Sequence, residues 1–140
     1  MKHKWLLVIL LSACVVSCSN DDDNNPAPAV DTDAPKTGTW RVTLFTDSGK
    51  DETSDFAGYS FSFDSDGTAA AAKGAANKSG TWSISSSSRE FNLNFGAKTD
   101  ANKPLGELTD DWDIISISAT EIKLKDDNDD SDEFLTFTQN

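Results

Sequence analysis

The sequence predicts an all-β domain. Eight short antiparallel strands form an up-and-down meander, closed into a barrel or flattened into a sandwich, behind a disordered N-terminal tether. Three observations predict it. From Trp40 to Phe137 apolar residues alternate with polar ones in short runs, the period-2 signature of half-buried strands. Clusters of Gly, Asn, Asp and Ser separate these runs at turn-like intervals. No segment carries a sustained helical period. Closing the sheet removes unpaired edges, which favours a barrel, but a sandwich would give the same alternation.

The strands follow in order. Trp40, Val42 and Leu44 share one face of the first, and Tyr59, Phe61 and Phe63 one face of the second. Asp64-Ser65-Asp66-Gly67 then reads as a tight turn, with glycine able to take positive φ. Thr68 to Lys73 is mostly alanine, which favours helix over strand. Gly67 and Gly74 close it off too quickly for a stable helix, so a third strand is expected. Trp82 and Ile84 point inward from the fourth, Ser85 to Ser88 turns, and Phe91, Leu93 and Phe95 form the next inner face. Gly96 to Asp111 reads as a long loop with a short helical turn around Leu105 to Leu108. Trp112 and Ile114 face in. Ile115 and Ile117 have the opposite parity, so a bulge near Ile114 is required if both pairs reach the core. Ile122 and Leu124, then Leu135 and Phe137, complete the inner faces, with Phe134 at a rim.

Ahead of this domain lie two segments of different character. Met1 to Lys4 is basic, and Trp5 to Val16 is almost wholly apolar. That length fits the h-region of a secretory signal, roughly 7–15 residues, and falls short of the roughly 18 that suggest a bilayer span. Residues 19–36 hold Asn, Asp, Pro and Ala, with Val30 as the one sizeable apolar side chain. Such a segment cannot bury enough surface to offset its chain entropy. The expected division is therefore a signal peptide over 1–17, Cys18 with an acidic linker over 18–36, and a barrel domain over 37–140.

Val15-Val16-Ser17-Cys18 resembles the lipobox of bacterial lipoproteins. The resemblance implies that Cys18 is the lipid attachment residue, triacylated with chains of the palmitate class. Acyl chains contribute about 0.8 kcal/mol per buried methylene, and stable anchoring takes more than one chain. Leu11-Ser12-Ala13-Cys14 is a rival and the better match letter by letter, but it leaves a very short apolar run. Ser19-Asn20-Asp21-Asp22-Asp23 is similar to the acidic export tag of surface-exposed lipoproteins of the Bacteroidota, which implies display on the outer face of the outer membrane. A solvated linker on the periplasmic side is the plainer alternative. Within the domain, Gly38-Thr39-Trp40 resembles the Gly-x-Trp signature of lipocalins. The runs Tyr59 to Thr68, Gly80 to Ile84, Asp111 to Ile114 and Ile117 to Leu124 look like those of small lipocalin-like domains in Bacteroidota lipoproteins. That implies a calycin-type barrel. Full-size lipocalins carry apolar ligands in the barrel mouth. This chain is much shorter, and its bulky inward rings would tend to fill a small barrel.

Composition narrows the function. The chain has 12 basic and 24 acidic residues and a net charge of −12. Two of the basic residues, Lys2 and Lys4, would leave with the leader and deepen this to −14. Such a field repels nucleic acid. The one histidine, His3, would leave too, and the retained cysteine would be acylated. Ser-His-Asp and Cys-His catalysis, histidine or thiolate zinc sites and thiol redox chemistry are then excluded. The chain is expected to be no enzyme, with no catalytic residue, cofactor or resident metal.

Two acidic features have spacings that chemistry could use. Asp126, Asn128 and Asp130 mimic the first ligands of a calcium loop, but Ser131 stands where glycine is wanted and Phe137 where the bidentate glutamate belongs. The run Asp126 to Glu133 therefore reads as a solvated hairpin. Asp111 and Asp113 flank Trp112 on one strand face, a spacing that glycoside hydrolysis can use, but opposite Trp112 they would sit in water with nothing to raise a pKa. The expected role is a lipid-anchored envelope protein whose barrel binds a small apolar molecule or a protein partner. The alternative is an accessory subunit with a filled barrel.

Overall fold

A computed structural model describes residues 27–140. The leader, Cys14, Cys18 and the acidic stretch that follows lie outside the described residues. Among the described residues there are nine strands: β1 (Trp40–Asp47), β2 (Lys50–Asp51), β3 (Ser60–Phe63), β4 (Thr68–Lys73), β5 (Ala76–Ser85), β6 (Glu90–Asn94), β7 (Asp110–Ile117), β8 (Glu121–Asp126) and β9 (Phe134–Gln139). From β3 to β9 each strand pairs with the next, and β1 pairs with β9 from Trp40↔Gln139 to Thr46↔Phe134. That last pairing settles the choice between barrel and sandwich: eight strands close a barrel, and β2 is a two-residue addition to the edge of β1. Among the described residues no helix is long and apolar enough to cross a membrane.

The inner faces match the alternation with three differences. Leu44 is 37% exposed and Phe45 is fully buried in its place, because a register shift between Val42 and Leu44 turns the second half of β1 over. In β7 the bulge sits where parity demands it, between Ile114 and Ser116. It turns Ile117 inward, and Ile115 is the residue left outside, 42% exposed. Tyr59 precedes β3 and is only partly buried.

The alanine strand is explained by its neighbours. Ala69 and Ala71 pair with Phe63 and Phe61 and are themselves buried. Small side chains on β4 leave the interior to the phenylalanine rings. Gly80, opposite Ala69, is held to glycine by space: a Cβ there would lie 2.2 Å from the Asn94 carbonyl oxygen and 2.8 Å from the Phe95 ring. The turn at Gly67 is as expected, with φ +88 and its N–H donating to the Asp64 carbonyl at 3.0 Å.

One seam is thin. Among the described residues β1 and β3 join at the single pair Trp40↔Phe61. The gap above it is filled by the 3-10 turn Thr53–Phe56. Phe56 is 2% exposed and meets Phe45 edge-on at 5.1 Å. Thr53 Oγ1 accepts a hydrogen bond from the Phe45 N–H at 2.9 Å.

The linker, expected to run unstructured to residue 36, is structured well before that. Val30 forms a parallel bridge to Ile117, Ala34–Lys36 makes a 3-10 turn, and Ala34 and Pro35 are buried. The Trp40 indole N–H donates to the Pro35 carbonyl at 3.0 Å. Sequence composition placed this stretch in solvent because its apolar content is low. What it needed was only one valine, one alanine and one proline against a surface the barrel already offers.

Candidate functional site

The barrel interior is occupied. Trp40, Phe61, Phe63, Phe91, Trp112 and Phe137 are each at most 1% exposed. Phe63 contacts Trp82, Phe91 and Phe137 at ring separations of 5.4 to 5.5 Å. Phe61 meets Phe95 and Phe137 edge-on at 6.0 and 5.2 Å. This is core packing, with favourable tilted and edge-on aromatic geometry.

Both ends are closed as well. At the end where β1 begins, called the floor here, Val30 to Pro35 lies across the opening. At the other end, the roof, Phe56 and the 3-10 turn Leu105–Leu108 plug the mouth, with Leu108 fully buried. Asn102 holds the long loop in place, donating to the carbonyls of Phe95 at 3.1 Å and Ala97 at 2.9 Å and accepting from Lys78. The short helical turn expected around Leu105 to Leu108 is thus the roof itself.

One concave stretch of the surface is mostly polar. A groove of about 410 Å³ runs over β5, β6 and β7, lined by Thr81, Ser83, Asn92, Asn94 and Asp111 among others. Asp111 pairs across the sheet with Asn92 and Asp113 with Glu90; Asp111 is exposed and Asp113 partly so. The two carboxylates expected to lie opposite Trp112 in water do lie there.

The roof carries the most unusual electrostatics. Asp110 at the start of β7 and Asp126 at the end of β8 have the parity of inward residues, pairing with Leu93 and Trp112. Carboxylate oxygens of Asp110, Asp126 and Asp127 all lie within 4.8 Å of one another. Lys98 reaches in from the long loop, its Nζ 2.5 Å from Asp110 Oδ2. Asp126 is 4% exposed. Burial works against its charge, but the polar groups that surround it, among them two hydrogen bonds from Asn128, outweigh that and hold it below the usual carboxylate range. Asn128 donates to Asp126 Oδ1 through its N–H at 3.3 Å and its side-chain amide at 3.1 Å.

Glu133 behaves oppositely. Half-buried beside β9, its carboxyl is pushed up to about 7. Burial is the main cause, the carboxylates of Asp126, Asp47 and Asp110 add to it, and Lys98 opposes. A carboxyl titrating near neutrality can hold or release a proton at physiological pH. Read as a solvated hairpin, the run Asp126 to Glu133 gave no sign of this. The signal was parity: Asp126 and Glu133 stand two residues from the inward Leu124 and Leu135. The calcium-loop spacing does not converge. Asn128 turns back onto Asp126, Asp130 is exposed, and the residues brought together come from two strands.

No family model matches the chain, and no curated protein matches it. Among solved structures, the chain is similar to a DUF4847 family protein from Bacteroides vulgatus, at 18% identity and a TM-score of 0.57, over 76% of this chain and 94% of that one. At that identity the likeness is one of fold: this chain shares its closed antiparallel barrel with a small Bacteroides protein.

Proposed function

We propose that this protein is a non-enzymatic, lipid-anchored lipoprotein of the outer membrane, attached through Cys18 and exposed at the cell surface, whose barrel engages an envelope protein partner through its outer surface. The observation that carries the reading is the filled interior. With rings in mutual contact along the axis and both mouths plugged, the barrel is built to hold its own shape. That supports a partner protein over a small apolar ligand. The lipobox-like Val15-Val16-Ser17-Cys18 and the acidic Asp21-Asp22-Asp23 support the address. The groove over β5 to β7 favours a second reading, in which the ligand is small and polar and lies outside the barrel.

Mass spectrometry of the protein extracted from membranes tests the anchor: an acylated Cys18 at the N-terminus is expected. A Cys18→Ala change should move the protein to the soluble fraction. Retention of that variant on the membrane, with release of Cys14→Ala, would reassign the attachment. An environment-sensitive apolar dye should gain no fluorescence with the folded protein, and saturable binding of it would restore the ligand-carrier reading.

A further inference from the structure

We infer that Arg89 fastens the segment Ala27 to Lys36 across the barrel floor, so that the floor is held toward the membrane and the acidic roof is presented away from it. This rests on Cys18 being the lipidated residue.

Arg89 sits in the β5–β6 turn at φ +57, a backbone conformation that costs a non-glycine residue energy. Its guanidinium donates to three carbonyls: Pro28 at 3.0 Å, Ile114 at 3.2 Å and Ile115 at 3.3 Å. Its own carbonyl accepts from the Ile114 N–H at 2.8 Å. A planar group with five N–H donors suits this task, joining the strap to the β7 bulge. Downstream the strap is held again. Val30 bridges Ile117, Asp31 Oδ1 accepts from the N–H groups of Asp33 at 3.0 Å and Ala34 at 3.1 Å, and Pro35 accepts from Trp40.

Chain length then sets the geometry. Pro28 is ten peptide steps from Cys18. Ten residues reach at most about 35 Å, whereas a linker free to residue 36 would reach about 60 Å. The roof lies a barrel height farther out, on the order of 20 Å for tilted strands of this length. Charge agrees with this arrangement. Asp126, Asp127, Asp129, Asp130, Asp132 and Glu133 crowd the roof, and anionic lipid would repel them.

Energy transfer to the bilayer tests this. Processed full-length protein is extracted from membranes and placed in phosphatidylcholine–phosphatidylglycerol vesicles carrying a trace of rhodamine lipid. A donor dye goes on a single cysteine introduced at the floor (Ala119→Cys) or the roof (Ala75→Cys), both exposed turn positions. Transfer from the floor should exceed transfer from the roof by about two-fold or more. Adding Arg89→Gly, which suits the positive φ but removes the guanidinium, should lower floor transfer and bring the ratio toward one. Val30→Ser tests the same strap at a second point should the glycine variant not fold, with tryptophan emission as the folding check. Equal transfer from both ends of the native sequence, or more from the roof, overturns the orientation. An unchanged ratio in folded Arg89→Gly and Val30→Ser overturns the fastening. Failure of the anchor itself is told apart: protein without an added cysteine would then take up dye at Cys18 and not float with vesicles, which overturns anchor and orientation together.

Discussion

Replacing Glu133 with glutamine should flatten the dependence of stability on pH between about 5 and 8. The native carboxyl titrates at about 7 in the folded protein against an ordinary 4.5. A raised acid binds its proton more tightly when folded. Its contribution is therefore fully present below the unfolded value and is lost as pH rises through the folded one. Fully expressed, that gap corresponds to about 3 kcal/mol. Glu133 is only half withdrawn from water and Lys98 is close, so screening leaves roughly 1–2 kcal/mol. The described residues contain no histidine and no cysteine, which leaves this window unusually clear. Urea unfolding followed by tryptophan emission suits the measurement, since Trp40, Trp82 and Trp112 are all buried. Native protein should lose about 1–2 kcal/mol from pH 5 to pH 8, and Glu133→Gln should be nearly level and the more stable of the two at pH 8. A native stability that rises with pH across this range, or a slope that survives in Glu133→Gln, would refute the assignment.

Other expectations can be checked on the same footing. Lys98→Met removes the cation that opposes the rise, so the loss of stability should shift to higher pH, read from the same unfolding series. Phe61→Ala deletes a fully buried ring with two edge-on partners and should cost about 3–5 kcal/mol in urea unfolding. Gly80→Ala forces a Cβ onto the Asn94 carbonyl and should lower stability by about 2 kcal/mol or more, through overpacking that no rotamer relieves. Trp40→Phe leaves the Pro35 carbonyl without its donor and should cost about 1–2 kcal/mol, with faster proteolytic cleavage near residues 28–36.

The fold was largely legible because a barrel strand states its inner face in every second residue. Phe91, Leu93 and Phe95 needed no further information, and the bulge of β7 followed from parity alone. What eluded the alternation was decided between distant residues. Leu44 and Phe45 exchange places because of how β1 meets β9, ninety residues along the chain. Phe56 fills a seam whose existence depends on closure. Glu133 acquires its neighbours from β1, β7, β8 and the long loop, so a local reading saw only one more charge in an acidic run. The strap was missed for a related reason: a low apolar content describes what a segment can do alone, not what it does against a ready-made surface.

The pairing of the first strand with the last carries a consequence for how the molecule is made. Trp40 and Gln139 face each other across neighbouring strands at opposite extremes of the domain sequence. Local hairpins can form early, but the cylinder cannot shut until its final residues have left the ribosome, and such long-range closure is slow. Under the lipid-anchored role proposed above, that delay would be useful: a chain destined for export stays threadable for as long as it is incomplete.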